Sequence, residues 1–546
     1  MVNPIEGHAL EWTSKGGNNE SSIGANCHIY KYTYPNKNGD GSQSDTVIID
    51  AGSGSGDKGA WGYHRILPDI IDELKDADKI ILTHAHGDHI EALYYYLLSP
   101  MLTSRGGLEM GFDLPPIWGT PYTIEKTKQF FTTRVGRVLA SKDIPDYIKQ
   151  DVKKRYDEAM DKMSVFLPGQ TIRVGKEMHV RAVSMSHNTL HCVALLIQTP
   201  TATVFHSGDF NVDQTYRQPG CVDFHELREL RNRGIDVAMI DSTGADKETP
   251  DIFEQEIEEN LTELVNAHPD KRVVFTVMGG HDQRLISLME VARQTGRELQ
   301  VAGHAMQLTF DVFKSRGIIP ADLKVHYITK SGQENRIPRE NAILVSTGSQ
   351  GEQKTPFVRS VIERGYRMLQ LDPERDVVVF SSSMLSINRA RYEPVLNALH
   401  KRGFTFYYPG NTHKKLNAHG HARAPGIRKI LRAIKPTYGF PVHGMSDGRD
   451  EGRPKGLLHY CSSLMRKVGI TPVLAKNNQT FRLDHPDGPQ LVKDNAHNHQ
   501  WLGVHIFNHM RNWAEMYLIT RISPSNDNEE HNKNRYNVGR SYDHII

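Results

Sequence analysis

Cysteine is scarce: Cys27, Cys192, Cys221 and Cys461 are the only four in 546 residues, and no two stand at a CxxC spacing. That excludes a disulfide framework and a cysteine-built zinc knuckle, and it fits reduced thiols in a cytosolic protein. Long apolar runs are missing too, since no stretch approaches the roughly 20 residues of a membrane span. The opening MVNPIEGHALEW has no basic region followed by an apolar one, so no secretory signal is expected. Charge of one sign is absent: 66 Lys plus Arg against 64 Asp plus Glu leave a net +2. A polyanion would therefore have to meet a local patch rather than a global field. These absences describe a soluble cytoplasmic chain without a membrane partner, long enough for two or three domains. Histidine is the exception, with 28 residues.

The first 230 or so residues alternate short β-branched runs with glycine-rich turns, as in DTVIIDAG (45–52), KIILTHAH (79–86), CVALLIQT (192–199) and ATVFHSGDF (202–210). Apolar runs of that length, bounded by Gly or Asp, suit buried strands. From 233 the texture becomes a regular strand–helix alternation. DVAMID is followed by Phe253, Ile257, Leu261 and Leu264 on one helical face, then by RVVFTV, ELQVAG, AILVST and DVVVFSS. That alternation predicts a parallel sheet with crossover helices, and an inserted α/β domain is expected over 233–400. It divides a first domain into residues 1–232 and 401–485, with KPTYGFPVHG (435–444) as a returning strand. Beyond 486, Leu502, Ile506, Met510, Trp513 and Tyr517 predict a helical stripe, and SPSNDNEEHNKN (523–534) a disordered tail. The segment 486–546 is thus expected to be helical and disordered.

The histidines concentrate in THAHGDHI (83–90), between the strand KIIL and the helix HIEALYYYLL. Alternate residues of an extended segment point the same way, so His84 and His86 can grip one ion. Asp88 and His89, at the helix start, can turn toward a second. Zinc takes imidazole nitrogen and carboxylate oxygen, and catalytic sites keep a position open for water. Further ligands are expected at strand ends, where SMSHNTLH offers His187, HSGDFNVD offers Asp209 and PVHG offers His443.

In their order, Asp50 of IIDAG, the HAHGDH loop, His187, Asp209 and His443 resemble the metallo-β-lactamase superfamily. The resemblance implies an α/β fold, an αββα sandwich carrying two Zn2+ ions, with Mn2+ or Mg2+ as alternatives. It implies His84, His86 and His187 around the first ion, Asp88, His89 and His443 around the second, Asp209 bridging, and Asp50 orienting the loop. The inserted domain narrows the likeness to the β-CASP nucleases, whose extra motifs fall on Asp241 of MIDSTGAD, His421 of AHGHA and His443. Within that branch, GDFNVDQT, DSTGAD, STGSQGE and PVHG stand in the order of the ribonuclease J family.

That likeness implies a metal-dependent ribonuclease cutting single-stranded RNA 5′→3′, with endonuclease activity as well, to leave 5′-phosphate and 3′-hydroxyl ends. It assigns catalysis to Asp88, Asp209, Asp241 and His421, with His421 offering a proton to the leaving oxygen. Ser346, Thr347, Gly348 and Ser349, together with His419 and His421, are expected to meet phosphate or RNA. A homodimer or an RNA-degradation complex would be the protein partner. A β-CASP nuclease acting on DNA and a catalytically silent RNA-binding subunit remain as alternatives. Three features depart from the family pattern: His419 stands where Ser is usual, GGHDQR (279–284) keeps only Arg284 of a Ser-Asn loop, and the segment after 486 lacks a strand-rich signature.

Overall fold

The computed structural model describes residues 5–506 and 517–522, apart from 19–23, 37, 39–40, 56–64, 99, 103–107, 111, 143, 218–219, 364, 386–387, 447–454 and 497–500. Two sheets face each other across a common core. The first has eight strands, in the order Met163–Val165, Ile117–Gly119, Lys79–Ile81, Ser42–Ile49, Cys27–Pro35, Ala9–Gly16, Gln479–Arg482 and Gln490–Asp494. The second has seven, in the order Thr171–Val174, Met178–Ser184, Val193–Gln198, Thr203–His206, Val237–Asp241, Tyr438–Val442 and Thr471–Pro472. Alternation explains the pairing of the sheets: every second residue of Ala9–Gly16 is buried, as a strand with one face on a core requires. Leu10, Trp12 and Val47 of one sheet meet Leu195, Val237 and Phe440 of the other.

Helices cover both outer faces. Ala92–Leu98 and Pro121–Ala140 pack on the first sheet through Tyr95 and Phe131, while Phe224–Arg233 and Ala424–Ile434 pack on the second through Leu227 and Ile430. The result is the expected αββα sandwich.

A separate sheet of six parallel strands follows, in the order Val325–Ile328, Glu298–Ala302, Ala342–Thr347, Arg272–Val277, Asp376–Phe380 and Thr405–Tyr407. It is buried on both faces: Val273 and Phe275 point to one layer of helices and Val274 to the other. That is why its strands read as continuous apolar runs. From Arg272–Val277 the chain crosses to one side, and from Ala342–Thr347 to the other. The crevice outside their carboxyl ends is where open α/β sheets bind ligands.

Three expectations about the sandwich and the inserted unit need correction. The strand Val237–Asp241 pairs in parallel with Thr203–His206 and Tyr438–Val442, so it lies in the sandwich and not in a unit starting at 233. The inserted sheet also runs past 400, to Thr405–Tyr407. Phe253 stands just before the helix Glu254–Asn266 and is 38% exposed, so only Ile257, Leu261 and Leu264 form its buried stripe.

The largest correction concerns the C-terminal segment. Trp501–Ile506 and Tyr517–Ile522 are strands, paired antiparallel with Trp501 opposite Ile522, and the first also pairs with Arg65–Pro68. Together with Gly54–Ser55, Pro100–Leu102 and Leu108–Met110 they make a further six-stranded sheet. The expected helix fails because WLGVHI and YLITRI are β-branched and aromatic with an internal glycine, and because Arg65–Pro68 offers them an edge to pair with. Gln490–Asp494 likewise pairs with Gln479–Arg482, so strands replace the helix expected after 486. Met510, Trp513 and residues 523–534 lie outside the described residues.

The inserted unit is tied to the sandwich by polar contacts. Thr189 Oγ1 donates to Asp282 Oδ2 at 2.6 Å, Gln283 N–H donates to the Asn188 carbonyl at 3.0 Å, and Lys126 Nζ donates to Thr309 Oγ1 at 2.9 Å. Arg284, fully buried, pairs with Glu254 at 2.6 and 3.0 Å and donates to the Leu416 carbonyl at 2.9 Å. Truncating Arg284 strands the Glu254 carboxylate. Arg284→Ala is therefore expected to lose ~3–5 kcal/mol of unfolding free energy, measured by denaturant titration.

Candidate active site

Every expected metal ligand follows the carboxyl end of a strand or begins the helix after it, and these ends meet on one edge of the sandwich. The loop 82–86 is held by Asp50, whose carboxylate accepts from Thr83 N–H and Thr83 Oγ1, both at 2.8 Å. Asp50 also takes His89 Nδ1 at 2.7 Å. Backbone bonds stitch the same two segments together, with Ala51 N–H on the His89 carbonyl at 2.7 Å and Ser53 N–H on the Gly87 carbonyl at 3.2 Å. Gly52 makes this approach feasible, since a Cβ there would stand 1.6 Å from the Asp88 carbonyl oxygen. Asp50 and His443 both adopt left-handed φ, +61° and +54°. Such strain persists only where the surroundings fix it, and it clusters at functional sites.

Two donor sets converge. In the first, His86 Nδ1 lies 3.1 Å from His84 Nε2 and 3.2 Å from His187 Nε2, and Asp209 Oδ2 is 3.7 and 3.9 Å from those two Nε2 atoms. In the second, His89 Nε2 is 3.3 Å from Asp209 Oδ2 and 3.7 Å from Asp88 Oδ2, and His443 Nε2 is 3.3 Å from Asp88 Oδ2. Asp209 belongs to both sets. Only His86, Asp88 and His421 are more than marginally exposed, so the cluster opens to solvent along one side.

The opposite ring nitrogens are all engaged. His84 Nδ1 meets Thr83 Oγ1 at 3.0 Å, His86 Nε2 the Gly280 carbonyl at 3.0 Å and His187 Nδ1 the Gly420 carbonyl at 2.7 Å. His443 Nδ1 meets Thr243 Oγ1 at 2.6 Å. Thr83 and Thr243 give their own protons to Asp50 and Asp241, so they accept from the rings. A carbonyl can only accept. Each of these rings thus carries a proton on the far side, which leaves its inward nitrogen as the one available to a cation, the arrangement metal-ligating histidines require. Burial pushes His84 and His187 well below the ordinary histidine range, which keeps them neutral.

His89 and His443 are the opposite case. Burial alone would lower them, but Asp209, Asp50 and Asp88 hold His89 well above the usual range, and Asp209, Asp241 and Asp88 push His443 up to about 10. A divalent cation would take the place of those protons among the carboxylates. The donor set therefore fits two cations of the nitrogen- and oxygen-binding kind.

Asp241 and His421 stand beside the second set. His421 Nδ1 is 2.7 Å from Asp241 Oδ2, and His421 Nε2 faces Asp209 at 3.9 Å. Burial opposes charging His421, but Asp241 and Asp209 win and raise it. The loop 346–349 is one layer further out. Ser346 and Ser349 are fully buried, and Ser346 Oγ donates to the Thr347 carbonyl. Thr347 lies against Gly279, whose neighbour Gly280 reaches His86. Gly348 has a φ of +130°. His419 meets this loop indirectly: its Nδ1 is 3.3 Å from Ser383 Oγ, and Gln350 Nε2 donates to the Ser383 carbonyl at 2.6 Å.

Gly280, Ser383, Gln350 and Asn26 were not singled out from the sequence. Asn26 Nδ2 lies 3.0 Å from His89 Nε2 and 3.4 Å from Asp88 Oδ2. Its position in NCHIYKY, just before a strand, was the one available signal.

Comparison with known proteins finds matches in both the sandwich and the inserted unit. Residues 41–116 match the metallo-β-lactamase superfamily, and residues 270–399 match the family described as ribonuclease J, β-CASP domain. Ribonuclease J of Sinorhizobium meliloti is 26% identical over 480 residues, covering 87% of this chain and 74% of that one. Ribonuclease J of Thermus thermophilus is 24% identical over 468 residues, covering 84% and 72%. Ribonuclease J of Helicobacter pylori strain B128 is 25% identical over 401 residues, covering 73% of this chain, which spans only 52% of that relative. A crystal structure of an Enterococcus faecalis protein of unknown function shares the fold, with a TM-score of 0.53, 14% identity and coverage of 87% and 100%. Two family matches in the expected order, spanned by relatives that cover both, give this chain a metallo-β-lactamase region followed by a ribonuclease J-type β-CASP region.

Proposed function

We propose that the protein is a metal-dependent ribonuclease that hydrolyses single-stranded RNA to 5′-phosphate and 3′-hydroxyl products. The observation that carries this reading is Asp209, shared between two convergent donor sets and flanked by the His421–Asp241 pair. His84, His86 and His187 would hold one ion and Asp88, His89 and His443 the other, with Asp209 between them. The nitrogen-rich donors favour Zn2+, with Mn2+ able to replace it. When bound, the ions would bring a water's pKa toward neutrality and neutralise charge on the scissile phosphate.

The chain's own groups do the rest. Asp241 accepts from His421 Nδ1, which orients the ring and leaves Nε2–H facing Asp209 between the two donor sets. His421, kept protonated by Asp241 and Asp209, donates from Nε2 to the departing 3′-oxygen. The loop Ser346–Ser349, joined through Gln350 and Ser383 to His419, would receive phosphate at the strand's 5′ end. That placement supports 5′→3′ exonucleolytic action, with endonucleolytic cleavage when the end is not engaged. A site at the seam of two units admits a single strand more readily than a duplex. No helix among the described residues is long and apolar enough to cross a membrane.

The deciding experiment offers matched single-stranded RNA and DNA, with 5′-monophosphate and 5′-hydroxyl ends, to the wild type and two variants. Wild type is expected to degrade RNA with the monophosphate preferred. Asp88→Ala should bind one ion fewer by metal analysis and lose cleavage. His421→Ala should keep both ions and lose ~10²–10⁴-fold in kcat. Full activity of Asp88→Ala, or equal cutting of DNA, would refute the assignment.

A pH prediction follows from His89 and His443. Both hold protons that an ion must displace, so binding releases protons and affinity rises with pH. Calorimetry in buffers of different ionisation enthalpy should report net proton release and tighter binding at pH 8 than at pH 6. Proton-neutral binding would contradict it.

A further inference from the structure

We propose that the inserted unit completes the first ion's site: the Gly280 carbonyl is a positioning group for His86, and the ion's affinity is set across the seam between the two units. The inference rests on the two-ion reading of the cluster.

His86 offers Nδ1 to the first donor set, so Nε2 carries the proton and needs an acceptor. That acceptor comes from the inserted unit, 194 residues away in sequence, where the Gly280 carbonyl lies 3.0 Å from His86 Nε2. The other ligating rings contrast with this. His84 is held by Thr83, His89 by Asp50 and His443 by Thr243, all within the sandwich, and His187 by Gly420 in the segment leading back into it.

The loop carrying Gly280 is pinned beside another ligand of the same ion. Gln283 N–H donates to the Asn188 carbonyl, and Asp282 Oδ2 accepts from Thr189 Oγ1 at 2.6 Å. Asn188 and Thr189 directly follow His187. One loop of the inserted unit therefore braces His86 directly and the His187 segment through its neighbours. Among the described residues, none of its hydrogen bonds or ion pairs reaches Asp88, His89 or His443.

Outer partners of metal-ligating histidines set ligand orientation, and their loss costs 10–100-fold in affinity. Because coupling between sites is reciprocal, a single strand that draws the two units together would tighten the first ion, and the ion would tighten the strand.

Gly280 also offers a clean perturbation. A Cβ there would stand 3.2 Å from His86 Cδ2 and 3.3 Å from Nε2, whereas a Cβ at the adjacent Gly279 would make only an ordinary 3.4 Å contact with Thr347. The test is Zn2+ titration against a competing chelator, with wild type, Gly280→Ala, Gly279→Ala and Thr189→Val compared. Gly280→Ala is expected to weaken one of two ions ~10–100-fold and leave the other unchanged, with Gly279→Ala like wild type. Thr189→Val, which loosens the loop without crowding His86, should weaken the same ion, and it serves alone if Gly280→Ala does not fold. Wild-type affinity for both ions in Gly280→Ala and Thr189→Val, or equal weakening of both ions, overturns the proposal while the two-ion reading stands. Failure of the wild type to bind two ions overturns both.

Discussion

A single buried carboxylate, Asp209, lies within 3.9 Å of ring nitrogens from His84, His89, His187, His421 and His443. Five imidazoles and an acid cannot be gathered in a nearly dry edge without compensation, because each buried charge or lone pair needs a partner. The protein supplies partners on the outside of every one of these rings: two threonines, one carbonyl, Asp50 and Asp241. The inner atoms are thereby left facing one another. In the metal-free balance of charge, the carboxylates answer by keeping protons on His89 and His443. Cations would be the natural substitute for those protons, and the architecture around Asp209 fits holding them.

The fold serves that constraint. Strand ends from both sheets of the sandwich deliver His84, His187, Asp209, Asp241 and His443 to one edge, and the parallel sheet of the inserted unit places its own strand-end loops over it. Those loops follow the two adjacent parallel strands from which the crossover connections leave to opposite sides, where such sheets bind ligands. The binding crevice of one unit is thus set against the metal edge of the other. Gly280 on His86 and Asp282 on Thr189 are the atomic expression of that placement.

The cluster of His and Asp donors was legible because its signal is local. HAHGDH joins a strand to a helix within one short loop, and His187, Asp209 and His443 each follow an apolar run whose end is easily read. The inserted sheet was legible for the same reason, its strands being buried on both faces and therefore continuous in apolar character. Its edges were not, because Val237–Asp241 has the same apolar character as the strands of the inserted sheet, and only pairing assigns it to the sandwich. The C-terminal segment misled because Leu502, Ile506 and Tyr517 fall on a helical spacing while their neighbours favour strands. An available edge at Arg65–Pro68 decided the matter, and no local pattern could announce it. Gly280, Ser383 and Gln350 escaped notice for a related reason: what they do depends on residues far away in sequence, and a glycine carbonyl carries no chemical label.

On the proposed reading, Asp209 would stand between two cations. Anomalous diffraction at the zinc edge from crystals grown with Zn2+ measures this directly. The account predicts two peaks flanking Asp209, one among His84, His86 and His187 and the other among Asp88, His89 and His443. A single peak, or peaks away from Asp209, would contradict it.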